Sequence, residues 1–217
     1  MKATLISYSK GVGEYKSFKP ISLVAYCARV SNPDNQNNEK TSAKLVEYLI
    51  KHKHWSPLEM VSACMEIETT RDIARQILRH RSFSFQEYSQ RYADPTKDLE
   101  FVKREARLQD PDNRQNSVEV DDAELQSEWA WQQERVIKAS RRAYEWAIRN
   151  NIAKEQARAV LPEGNVLSRM YVNGTLRSWV HYIELRGANG TQKEHMEIAH
   201  AVAKVIAELF PIKMLSE

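Results

Sequence analysis

The segment EMVSACMEIETTRDIARQILRHR, residues 59–81, constrains the fold of this chain more than any other. Val61, Ala63, Met65 and Ile67 alternate with Ser62, Cys64, Glu66 and Glu68, the period of two that puts one face of a β-strand in a core and leaves the other polar. The period then changes at once. Ile73, Ala74, Ile77 and Leu78 form the apolar stripe of a helix, and Thr69 or Thr70 stands where a hydroxyl can cap it. Strand and helix therefore follow each other without a linker, the mark of an α+β chain.

The flanking sequence extends this pattern with more helix than strand. MKATLISYS reads as an opening strand, and KPISLVAYCARVS as a helix with Pro20 at its start. NPDNQNNEK is a polar loop, and TSAKLVEYLIKHKH a helix with Leu45, Tyr48 and Leu49 on one side. DPTKDLEFVKREARLQDPDNRQNSVEVDDAE is polar and turn-rich, an expected long excursion or lid. A long helix is expected from Asp122 to Asn150, then a shorter one stopped by Pro162. GNVLSRMYVNGT reads as extended with a turn at Asn173-Gly174. Two further helices follow, the second with Met196, Ala199, Ala203, Ile206 and Phe210 along one side.

Several functions are disfavoured. The chain has 217 residues and 42% hydrophobic content, enough for one core, and 32 Lys+Arg against 29 Asp+Glu leave a net charge of only +3. A general nucleic-acid coat is not expected. The first residues lack a signal-peptide apolar run and no stretch nears the roughly 20 apolar residues that span a bilayer, so a cytoplasmic protein without membrane contact is expected. GVGEYK has Lys16 where a dinucleotide fingerprint needs glycine. HKHW lacks companion ligands and there is no CxxC pair, so no metal is expected. Cys27 and Cys64 read as buried free thiols.

LRHRSFSFQEYSQRYAD, residues 78–94, is harder to account for as a solvated face. It sets Arg79, His80, Arg81 and Arg91 among Phe83, Phe85, Tyr88 and Tyr92, around Glu87. If the helix continues through it, Gln76, Arg79 and His80 share one side. Guanidinium forks bind phosphate in pairs of hydrogen bonds, and flat rings stack on planar heterocycles. Arg158 before Pro162, and Arg177, His181 and Arg186 in TLRSWVHYIELR, repeat that chemistry; Arg177 and His181 are helix neighbours. Together they suggest several phosphates, or a phosphate and an oxyanion.

These residues resemble those of the flavin-dependent thymidylate synthases. Arg79-His80-Arg81, seven residues and Ser89 match the family signature, with Arg91-Tyr92 following. The resemblance continues through ARVSNP around Ser31, HKHWSPLEM around His54 and Ser56, ARAVLP around Arg158, and NGTLRSWVHYIELR up to Arg186. Gln86, Thr175 and His181 stand where members of the family have Asn. The resemblance implies an α+β fold with a central, mostly antiparallel sheet packed with helices, residues 1–217 forming a single domain. It further implies a homotetramer that binds FAD where subunits meet, is reduced by NADPH, and transfers the one-carbon unit of 5,10-methylenetetrahydrofolate to dUMP. By the same likeness Gln76, Arg79, Glu87, Ser89, Gln90, Arg91 and Arg158 hold dUMP, and Arg186 polarises the uracil ring. Ser31, His54, Ser56, Arg79, His80, Arg81, Glu87, Thr175, Arg177 and His181 line the FAD site, with His80 and Arg81 offsetting phosphate charge.

A thiol-dependent route to dTMP has no visible support, because neither Cys27 nor Cys64 has a basic setting that would lower its pKa. A guanidinium beside the uracil ring offers electrostatic activation instead. Two rival readings remain open at this stage: a single-strand nucleic-acid binder stacking bases on the aromatic-rich stretch, and a flavoprotein without synthase activity.

Overall fold

A computed structural model describes residues 1–212, so residues 213–217 of the expected single-domain span lie outside the described residues. Four strands, β1 (Lys2–Tyr8), β2 (Ser62–Thr70), β3 (Ser84–Glu87) and β6 (Leu167–Thr175), form one sheet in the order β1-β2-β6-β3. Every pairing is antiparallel. The alternation in β2 is realised as read: Val61, Ala63, Met65 and Ile67 are buried. They join Met170 and Val172 of β6 in the main apolar cluster. The other face carries Glu66, Glu68, Arg169 and Tyr171, with an Arg169–Glu68 ion pair at 2.8 Å. A sheet with one dry and one polar face is the usual consequence of antiparallel pairing without crossover helices on both sides.

Helices α1 (Pro20–Ala28), α2 (Ser42–Lys51), α3 (Arg71–Ile77), α7 (Leu176–Gly187) and α8 (Lys193–Leu209) supply most of the rest of that cluster, with Leu58, Phe210 and Ile212 from the segments beside them. Trp179 of α7 is anchored at both ends, its ring in the core and its Nε1–H donating to the Ala63 carbonyl at 3.1 Å. In α2 the buried side is Val46, Leu49 and Ile50, while Tyr48 lies 52% exposed, so the expected Leu45–Tyr48–Leu49 face is rotated. Thr70 is the N-cap of α3, yet its side chain does not cap it. Its hydroxyl instead accepts from Arg104 at 2.8 Å. Cys27 and Cys64 are free thiols, half-buried rather than buried.

The polar excursion is more ordered than a lid. It contains α4 (Pro95–Asp98) and a hairpin of β4 (Arg107–Gln109) and β5 (Ser117–Glu119). The long helix α5 (Ala123–Arg149), capped by Asp122 through Leu125 N–H, holds it by side-chain amides. Gln133 accepts from Arg104 N–H and donates to Arg104 C=O, both at 2.8 Å. Gln126 does the same to Ala106, at 2.8 and 2.9 Å. Two glutamines one heptad apart on a helix thus act as rungs of a sheet ladder, which is why the segment needs no apolar pattern of its own. Below them Tyr144, Ala147, Leu161 and Ala157 of α6 (Lys154–Ala157) make a second small apolar cluster. No helix of the described residues is long and apolar enough to cross a membrane.

The expected turn at Asn173-Gly174 does not form. β6 runs straight through it, pairing Asn173 with Cys64 and Gly174 with Ala63. The glycine is required by proximity, since a Cβ there would lie 2.3 Å from the Phe83 ring. That ring cannot swing away, being packed at 4.5 Å on Trp179 and 6.1 Å on Tyr182 and Phe85. Gly174→Ala is therefore expected to destabilise the protein by about 1–3 kcal/mol through overpacking, read as a lower urea midpoint with unchanged slope. Stability equal to wild type would show that Phe83 is free to move.

Candidate functional site

The basic turn is shaped by where α3 stops. The helix ends at Ile77 with Leu78 as its C-cap, so Arg79, His80 and Arg81 lie in the turn leading to β3 and do not continue the helical face of Gln76. Released from the helix, the three side chains diverge. Arg79 and Arg81 are exposed, and His80 turns inward to 9% exposure. Its ring meets Tyr182 edge-on at 5.1 Å and Phe83 at 6.4 Å.

Arg186, in the last turn of α7, donates from Nε to His80 Nε2 at 3.0 Å. An arginine has no acceptor, so His80 Nε2 carries the lone pair and its proton sits on Nδ1. Burial, then the Arg186 guanidinium and His181, push the His80 pKa down to about 4. His80 is thus neutral near pH 7, a holder for Arg186 rather than a cation beside a phosphate. Among the described residues no carboxylate pairs with Arg79, Arg81 or Arg186.

Gln76 is held from the far side. Its Nε2 donates to Gln192 Oε1 at 2.8 Å, and its Oε1 lies 3.1 Å from His195 Nδ1. Gln192 donates to Glu194 Oε2 at 2.9 Å, and Glu194 Oε1 accepts from Arg107 Nη2 at 2.5 Å. His195 is fully buried, its pKa pushed down to about 3 by burial, Arg186 and His80. Its Nε2 and the Tyr182 hydroxyl are buried without a hydrogen-bond partner among the described residues. The sequence reading missed His195, Gln192, Glu194 and Tyr182. A signal existed: His195 precedes Ile198 and Ala199 by three and four residues, so it had to lie on the buried stripe of α8.

A second group gathers around β3. Glu87 accepts from Ser168 Oγ at 2.8 Å and pairs with buried Arg71 at 3.4 Å. Ser89 Oγ accepts from Arg91 N–H at 3.4 Å, and Gln90 is buried with its Nε2 unpartnered among the described residues. Glu155 brings two of the expected cations together, pairing with Arg91 at 3.1 Å and accepting at its carbonyl from Arg158 Nε at 3.3 Å.

A third group lines a cavity of about 470 Å³ formed by Trp55, Glu59, Ser82, Arg177, Ser178 and His181. Arg177 is ion-paired with Glu59, and Thr175 caps α7 through Ser178 N–H at 3.3 Å. Ser56 opens the short 3-10 turn Ser56–Glu59, and exposed His54 lies beside the rings of Tyr48 and His52. Ser31 borders a separate cavity with Arg29 and Lys44. Among the described residues no hydrogen bond or ion pair joins these groups to the Arg186 cluster or to the Glu87 group. Burial pushes both cysteine thiols up from their ordinary pKa, away from thiolate reactivity.

Comparison with known proteins gives a consistent result. A family model described as "Thymidylate synthase complementing protein" matches residues 15–212. The "Probable flavin-dependent thymidylate synthase" of Paramecium bursaria Chlorella virus 1 is 46% identical over 97% of this chain and 96% of its own length. The "Flavin-dependent thymidylate synthase" of Synechocystis sp. is 48% identical over 88% of this chain and 86% of its own. Among solved structures, a UMP/dUMP methylase, PolB, from Streptomyces cacaoi shares the fold at a TM-score of 0.78 and 24% identity, covering 97% of this chain and 91% of that one.

The two neutral histidines make a pH prediction. Each has a folded pKa below the ordinary 6.5, so between those values the unfolded chain binds more protons and stability rises with pH. Acidification from pH 6.5 toward about pH 5 is expected to lower stability by up to about 1.4 kcal/mol per pH unit for each histidine. In urea titrations across that window, His195→Asn should remove about half of the dependence. A dependence unchanged by that substitution would mean that His195 protonates normally in the fold.

Proposed function

Because the chain belongs to the flavin-dependent thymidylate synthase family, we propose that it methylates dUMP to dTMP with FAD as cofactor. The one-carbon unit comes from 5,10-methylenetetrahydrofolate and the reducing equivalents from NADPH, giving tetrahydrofolate and NADP⁺. The observation that carries this reading is the Arg186–His80 contact. A guanidinium held by a neutral imidazole keeps its whole charge for a ligand. Set against uracil N3 and O2, it favours the ionised, electron-rich ring and so raises nucleophilicity at C5. Neither cysteine is poised to perform that activation by addition to C6.

The remaining residues fit two anionic ligands. Gln76, Arg79, Glu87, Ser89, Gln90, Arg91 and Arg158 are proposed to hold dUMP, the arginines offering forks to its phosphate. For FAD, the exposed and carboxylate-free Arg79 and Arg81 suit a pyrophosphate, and the cavity at Arg177 and His181 suits a planar ring system bordered by Trp55. Bound there, FAD supplies the two-electron redox chemistry of the reaction. Thr175 reaches the basic turn through Ser178, which donates to the Ser82 carbonyl at 3.0 Å, and Ser56 follows Trp55 of the same cavity. Ser31 and His54, in contrast, lie apart from that turn within one chain, which supports a homotetramer whose FAD sites are completed between copies. Trp129, Trp131, Val136 and Trp146, exposed along α5, fit such a contact. The chain is taken to act as one domain, because one apolar cluster draws on residues from Ile21 to Ile212.

Purified protein supplied with FAD, NADPH, 5,10-methylenetetrahydrofolate and dUMP should form dTMP, and should still do so with Cys27 and Cys64 both replaced by Ser. A folded, flavin-loaded double variant without turnover would restore a thiol mechanism. Arg186→Lys keeps one charge but loses the planar fork. It should lower dTMP formation on the order of a hundredfold while NADPH oxidation by the flavin-loaded protein persists. Equal losses in the two measurements would reassign Arg186 to folding or flavin binding.

A further inference from the structure

The hydrogen bonds running from Arg107 to His195 have only one consistent direction. Ionised Glu194 accepts and cannot donate, so Gln192 must turn its NH₂ to it and its oxygen to Gln76. Gln76 must then offer its own NH₂ to Gln192, which turns its oxygen to His195. His195 must therefore carry its proton on Nδ1. Flipping the Gln76 amide would set oxygen against oxygen at Gln192, and flipping Gln192 in turn would set its oxygen against a carboxylate. The charged end forbids both.

We propose that His195, at the end of this relay, is a positioning residue that fixes the amide of Gln76 for nucleotide binding. The inference rests on the reading of Gln76 as a dUMP contact. Three observations make the relay a built feature. Its members come from three elements, α3, β4 and the start of α8. Glu194 and His195 are 7% and 0% exposed. Each amide is bonded at both ends. The relay uses one N–H and one lone pair of Gln76. One donor and one acceptor remain, in a fixed order, for a ligand that itself presents an acceptor beside a donor. An amide free to flip would present the two in either order and lose that discrimination.

Calorimetric dUMP titration of the flavin-loaded full chain tests the role. His195→Ala should weaken dUMP about tenfold, the loss of one positioned hydrogen bond. His195→Asn, whose amide N–H lies near the position of Nδ1–H, should bind within about threefold of wild type. Gln76→Ala combined with His195→Ala should be no weaker than Gln76→Ala alone, because His195 acts only through that amide. Additive losses, or an Asn variant as weak as Ala, would overturn the proposal. Imidazole ¹⁵N shifts of the wild-type protein give a readout that needs no variant to fold: His195 protonated on Nδ1 supports the relay, and protonation on Nε2 removes it. Wild-type protein that binds no dUMP would sink the functional reading and this role with it, whereas tight dUMP binding with additive variants would sink the relay alone.

Discussion

The unbroken pairing of β2 with β6, from Ser62 against Thr175 to Thr70 against Leu167, sets the rest of the molecule. Each strand hands over directly to a helix, β2 to α3 at Arg71 and β6 to α7 at Leu176. Antiparallel pairing makes those hand-overs occur at opposite ends of the sheet. A nine-residue strand spans about 30 Å, whereas α3 and α7, with 7 and 12 residues, span about 10 and 18 Å. Two helices starting from opposite ends of the dry face therefore meet tail to tail near its middle. His80 just beyond one tail and Arg186 at the other close that junction at 3.0 Å. A cation at a helix C-terminus is also where the backbone dipoles favour it.

What surrounds the arginines separates two populations. Arg71, buried, meets Glu87, and Arg107, largely covered, meets Glu194; both are guanidiniums whose charge a carboxylate cancels. Those pairs join β3 to α3 and the hairpin to α8. Arg186 is held instead by a neutral imidazole, with a second neutral imidazole, His195, close enough for Arg186 to depress its pKa. A carboxylate in either place would have steadied the side chain and spent its charge. The Arg91–Glu155 pair is about half exposed on each side, so its attraction is weak and an incoming phosphate can displace it.

The sequence made strand, helix and the basic turn legible wherever one local period or one residue type decided the outcome. The β2 alternation and the α5 limits, framed by Asp122 and Asn150, are such cases. Where a distant neighbour decides, local signals mislead. Asn173-Gly174 has the composition of a turn, yet Gly174 answers to a ring brought from residue 83. Arg79 and His80 have helical spacing from Gln76, but the chain must leave α3 to reach β3. Thr70 has the residue type of a cap and spends its hydroxyl on Arg104. The Arg79-His80-Arg81 motif was readable as an anion site, although the neutrality of its histidine depends on burial against Tyr182 and on Arg186, both about a hundred residues away.

The excursion shows the same dependence at the scale of a segment. Polar, turn-rich composition reads as mobile because a chain without apolar residues buries little surface to offset its ordering entropy. Here the ordering is supplied by another element. Gln126 and Gln133 fix the backbone at Ala106 and Arg104, the residues on either side of Glu105, and Arg107 follows immediately. The base of the hairpin is therefore held before Arg107 reaches Glu194, and Lys193 pins it further through Glu105, just before β4, and Glu119 at the end of β5. A segment that looks like a cover for the site is thus fastened at its root to α5 and α8. Its polarity is that of a part whose partners are amides and ions rather than a core.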